Sequence, residues 1–93
     1  MTTREDEFFR KNNELSHELS KYVLDHPEMD AVLSGESVVV FLPEFDPDLR
    51  EFNIRMAGEI ETEGGDVVYV KVKQMMPRVA SRLVGVEVSR GRP

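Results

Sequence analysis

The sequence predicts a mixed α/β fold: a long N-terminal helix, a short helix, then a right-handed βαβ unit with parallel strands, and a third strand near the C-terminus. Three observations carry the prediction. Ser37 to Leu42 is an unbroken β-branched and aromatic run bounded by Gly35 and Pro43, too short for a helix. A helical stripe follows it, and a second β-rich run, Val67 to Lys73, follows the stripe. Two strands joined by a helix of this length pair in parallel, and the crossover is right-handed.

In chain order, residues 4 to 25 carry the longest helical pattern. Thr2 and Glu5 have the spacing of a capping box, and Glu5, Asp6 and Glu7 complement the positive end of the helix dipole. Phe8, Leu15, Leu19, Tyr22 and Val23 share one face. Asn12 is the one polar residue inside that stripe, which predicts an amide bonded to a neighbouring backbone group or to a symmetry mate rather than to a ligand, and His17 falls on the opposite, solvated side. Pro27 disfavours helical geometry at His26 and so ends the helix there. It can then open a short second helix to Leu33, with Met29, Val32 and Leu33 turned inward and Gly35 closing it.

The run Val38 to Leu42 reads as a strand buried on both faces. Asp46-Pro47-Asp48 is a helix start: Asp46 caps, Pro47 fits the first turn, and Asp48 favours the dipole. Leu49, Phe52, Met56 and Ile60 recur at helical spacing until Gly64-Gly65 supplies a left-handed stop. In the second strand Val68, Val70 and Val72 point one way, and Val67, Tyr69, Lys71 and Lys73 point to a wetter side or edge. Val84, Val86 and Val88 alternate with Gly85, Glu87 and Ser89, the pattern of a half-buried third strand. The organisation expected is a single α/β domain over 1–93, with 1–34 helical, 36–73 the βαβ unit, and 74–93 a C-terminal extension ending in a frayed basic tail.

Ninety-three residues allow one modest core under a large surface, which favours a partner. The chain has no cysteine, excluding disulfides, thiolate metal sites and a cysteine nucleophile, and the cytoplasm is the expected compartment. No apolar run reaches the roughly twenty residues that span a bilayer, and the acidic start is unlike a secretory signal. Net charge is −6, unevenly placed: residues 1–66 carry −11 and residues 67–93 carry +5. The acidic body argues against membrane surfaces and nucleic acid, leaving the basic end to lie on acidic helices of its own chain or a twin.

Open α/β sheets place ligands at the carboxyl ends of their strands, so the loop Pro43 to Asp48 is the first place to look for chemistry. Two prolines and three carboxylates make it unfit for phosphate. Glu44, Asp46 and Asp48 could instead hold magnesium, with Asn12 or Asn53 nearby, although capping alone explains both aspartates. Asp46-Pro47-Asp48 resembles the phosphotransfer sites of the haloacid dehalogenase type, but there the first aspartate directly follows the strand. No acid, base and nucleophile set stands out, no HExxH motif is present, and no cofactor is implied. Arg90-Gly91-Arg92-Pro93 matches the centre of an AT-hook, the arginine pair that lies in an A·T-rich minor groove. It lacks the flanking basic cluster and hangs from an acidic body, which favours coincidence.

The stretches Asn12-Asn13-Glu14-Leu15, Tyr22 to Glu28, Val39 to Pro47, Gly65 to Val70 and Ser81 to Glu87 together resemble a family of small prokaryotic α/β proteins of unknown function. The resemblance implies a cytoplasmic α/β protein and brings no activity or ligand. The expected function is a non-enzymatic protein-interaction or regulatory module acting as a homodimer or on another protein. The alternative is a small-molecule or magnesium-binding protein, at its strongest an enzyme, using the acidic loop after the first strand.

Overall fold

The computed structural model describes residues 3–33, 35–77 and 81–91. Helix α1 spans Arg4–Asp25; a 3-10 turn Pro27–Met29 leads into α2, Asp30–Leu33; strand β1 is Val38–Pro43, helix α3 Pro47–Thr62, and strand β2 Val67–Val72. β1 and β2 form a two-stranded parallel sheet in which Val38 faces Val67 and Pro43 faces Val72. The predicted βαβ unit and its parallel pairing are therefore present.

Helix α1 is capped one residue later than expected. Thr3 Oγ1 accepts from the Asp6 N–H (3.1 Å) while Asp6 Oδ2 accepts from the Thr3 N–H (3.2 Å), so this reciprocal pair stands where a Thr2/Glu5 pair was expected. Thr2 itself lies outside the described residues. The helix stops at His26, ahead of Pro27, as the proline dictates. Tyr22 does not join the core: its ring stacks on His26 (centroids 3.9 Å apart) and is half exposed. Val32, expected inward, is 65 % exposed, because α2 is one turn long and only Met29 and Leu33 are even partly covered.

The core sits between α1 and the sheet. Phe8 and Leu15 of α1 pack with Phe41 and Leu49, and Leu19, Val39, Phe52, Val70, Val72 and Met75 close around them. Phe8 and Phe52 meet ring to ring at 4.8 Å, tilted by 32°. Since side chains alternate along a strand, Val40 and Leu42 look to the other face, where Leu42 lines an open hollow together with Pro47 and Ile54 of α3. Burial on both faces holds only for Val40 to Pro43; Val38 is exposed and Val39 partly so, because the helices cover only the carboxyl half of β1.

On α3 the fully buried positions are Leu49, Asn53 and Ala57, whereas Phe52, Met56 and Ile60 flank them. The helix thus presents a small and a polar residue to its closest neighbours. It ends in a Schellman motif: the Gly65 N–H donates to the Ile60 carbonyl (2.9 Å) and the Gly64 N–H to the Glu61 carbonyl (3.0 Å), with Gly64 at φ +86°.

The third strand expected over Val84–Val88 is absent among the described residues. Residues 81–91 pair with nothing and are exposed throughout, with Val84 at 93 % and Val88 at 92 %. The radius of gyration is 18.4 Å, against about 12 Å for a compact chain of this length, and the longest dimension is 65 Å. A strand pattern forms a strand only where a neighbouring edge accepts it, and this chain does not bring its own edge to these residues.

Candidate functional site at the carboxyl end of the sheet

The ladder geometry decides what lies where. Val38 and Glu44 donate to the Asp66 and Val72 carbonyls (2.9 and 2.8 Å), so the even-numbered residues of β1 bond to β2 and the odd-numbered ones face away from it. Pro43 is odd, so its missing N–H costs the ladder nothing. The Phe41 carbonyl also points away from β2, and Asn53 Nδ2 donates to it (3.0 Å). Asn53 Nδ2 donates as well to Asn12 Oδ1, and Asn12 Nδ2 donates back to Asn53 Oδ1, both at 2.9 Å. Asn12 therefore bonds the side chain of Asn53, 41 residues away in the chain, and not a backbone group or a symmetry mate. Asn53 is 1 % exposed and bridges α3, α1 and the outer edge of β1.

The acidic loop is divided between two sides. Asp46 caps α3 by accepting from the Leu49 N–H (3.2 Å) and takes Lys11 Nζ of α1 at 2.9 Å. The Lys11 hydrogen bond is the main reason the Asp46 carboxyl titrates below the usual carboxylate range; burial opposes it, and the Leu49 N–H and the charges of Lys11 and Arg4 add to it. Asp48 pairs with Arg4 (2.7 Å) in full solvent, a contact of little energetic weight. Glu44 turns the other way, into an open hollow of ≈ 580 Å³ lined with Leu42, Arg50, Glu51, Ile54 and Lys71.

Glu44 thus stands apart from Asp46 and Asp48, and no group of three His, Cys, Asp or Glu side chains among the described residues could hold a metal ion. No buried side-chain nitrogen or oxygen there lacks a hydrogen-bond partner. His17 is exposed, and His26 Nδ1 lies 3.0 Å from the Tyr22 carbonyl. Ser81 Oγ accepts from the Leu83 N–H. Arg90 is exposed, and Arg92, its partner in the AT-hook match, lies outside the described residues. Sequence reasoning missed Lys11 and Arg4 as partners of the loop, although Lys11 adjoins Asn12; it also missed Arg50 and Lys71, which supply the positive charge of the hollow.

On the other face of the sheet, a groove of ≈ 410 Å³ runs between α1 and β2, lined by Leu15, Leu19, Tyr22, Val70, Val72 and Met76, among others. Beside it, the N–H and C=O groups of Val67, Tyr69 and Lys71 point away from β1, along an edge with no strand on it among the described residues. The Tyr69 hydroxyl donates to Glu61 (2.6 Å), which raises its pKa above the ordinary phenol value.

A family model described as a family of unknown function, DUF5647, matches residues 7–86. No curated relative and no solved structure matches the chain. No helix among the described residues is long and apolar enough to cross a membrane.

Proposed function

The chain belongs to the DUF5647 family of unknown function, and from its geometry we propose that it is a non-enzymatic interaction module of the cytoplasm that works as a homodimer. The observation that supports this most is what the folded chain leaves uncovered: an apolar groove beside a bare strand edge, together with Leu83, Val84, Val86 and Val88, each more than 60 % exposed. Exposed apolar surface on this scale beside an unpaired edge is the mark of an association surface. The polar residues that an active site would draw on are already engaged: Asn12 with Asn53 and Asp46 with Lys11 and the helix start hold the fold, and Asp48 pairs with Arg4 at the surface.

Sedimentation velocity on the full chain across micromolar concentrations tests the reading. A species at twice the 10.7 kDa chain mass is expected; a constant monomer would remove the homodimer.

The hollow at the strand ends favours a second reading, a small-molecule or magnesium-binding protein that uses Glu44 beside Glu51, Arg50 and Lys71. Magnesium would have to draw Asp46 and Asp48 from Lys11 and Arg4. A magnesium titration followed by NMR separates the two readings: shifts confined to residues 44–51 and Lys71 support the metal, and an unchanged spectrum at millimolar magnesium removes it.

A further inference from the structure

We propose that the C-terminal arm, residues 82–89, is the missing third strand of the sheet, laid along the outer edge of β2 in a second copy of the chain. The inference rests on the homodimer reading and names the segment that makes the dimer. Three observations converge on it. The arm has period-two alternation, Val84, Val86 and Val88 against Gly85, Glu87 and Ser89, which suits a strand with one covered face. Val84 and Val88 are nearly bare, Val86 is exposed, and the arm's backbone has no partner strand among the described residues, while the outward N–H and C=O groups of Tyr69 and Lys71 form an edge of matching need. Charge agrees as well: the segment beyond Pro77 that contains the arm carries four arginines, Arg82 among them, against Glu87, and residues 1–66 carry −11.

A strand added at this edge can turn the three valines toward the side of the sheet that carries Val70 and Val72, extending the floor of the groove under Leu19 and Tyr22. The occupant is the twin's arm rather than the chain's own for two reasons. Returning to its own β2 would take a hairpin connection of nine residues, 73–81, where hairpin loops run about 2–5 residues. The arm also makes no strand pairing with its own sheet, and residues 81–91 are exposed throughout. Exchange between two copies makes two identical contacts related by a twofold axis, so the assembly closes at a dimer.

The test uses the full chain. Equal amounts of protein carrying ¹³C-methyl valine and protein carrying ²H,¹⁵N are mixed and searched for contacts between chains. Expected are contacts from Val84, Val86 and Val88 methyls to the Tyr69 and Lys71 amides of the other chain, and slowing of hydrogen exchange at those two amides by about 100-fold. The double variant Val84→Glu, Val88→Glu should raise the dimer dissociation constant at least about tenfold, because it puts carboxylates where apolar side chains must pack beside Val70 and Val72. Both valines lie outside the core, so its melting by circular dichroism under monomeric conditions should match the parent's. A dimer that shows no arm contacts and is indifferent to the double variant overturns the arm while leaving the homodimer intact. A monomer overturns both, whether its arm is free or folded onto its own β2.

Discussion

Asn53 ties α3, α1 and β1 together through one buried amide. Its amide satisfies the Phe41 carbonyl at the sheet edge and both hydrogen-bonding atoms of Asn12 that face it, so truncation strands a buried carbonyl and an amide together. Asn53→Ala should cost about 3 kcal/mol in urea denaturation, and Asn12→Ala, whose site is only half-buried, about 1 kcal/mol. Asn53→Asp should be worse than either, since a carboxylate cannot donate to the Phe41 carbonyl and would bury a charge. Asp46 offers a separate test. Its folded pKa lies below the unfolded value, so its pairing contributes in full above the ordinary carboxylate range and is lost as pH falls through the lowered value. Asp46→Asn keeps the cap and loses the charge. The stability gap between parent and variant should therefore be open at neutral pH and shrink in acid, as measured by thermal melts across pH.

The helix and strand boundaries follow from local rules that a single sequence displays openly: Pro27 stops α1, Asp46-Pro47 starts α3, and Gly64 turns the chain out of it. Gly65 was read as part of the same stop, but packing constrains it differently. A Cβ there would sit 2.6 Å from Ile60 Cγ2 and 3.1 Å from its carbonyl oxygen, and a branched methyl on a helix cannot swing clear. Gly65→Ala should cost about 1–2 kcal/mol in a melting experiment, through the clash, and Gly64→Ala about 1 kcal/mol, through its left-handed backbone. What the pattern did not display was which residues of α3 lie deepest. Phe52, Met56 and Ile60 look more like a core than Asn53 and Ala57, yet the closest approach of a helix to a strand selects small side chains and a hydrogen bond. Asn12 stood out as a polar residue in an apolar stripe; its partner did not, because the pairing joins residues 41 apart in the chain and depends on how two helices come together. Leu49, at 1 % exposed, is an ordinary core residue of the same helix, and Leu49→Ala should cost about 3 kcal/mol through the cavity it leaves.

Taken whole, the molecule is small for the surface it exposes, and its charge is sorted along the chain, −11 before residue 67 and +5 after. The alternation at Val84–Val88 was readable as a strand and yet forms none in the isolated chain, for a physical reason: alternation specifies a face, whereas a strand also needs a neighbour's backbone. The sorted charge also makes association salt-sensitive if acidic and basic regions meet. Raising ionic strength should weaken the dimer in sedimentation experiments, and a dimer that tightens with salt would point to a purely apolar contact.

The side chain of Asn53 seals the outer margin of β1 at Phe41. With that acceptor taken, the bare edge of β2 is the easier rim to lengthen, and a ribbon that grows chiefly from one side is hindered from stacking end upon end into filaments. A protein with this much bare valine is thereby steered away from amyloid-like polymers, and removing that one amide should allow slow, thioflavin-positive fibres where the parent gives none.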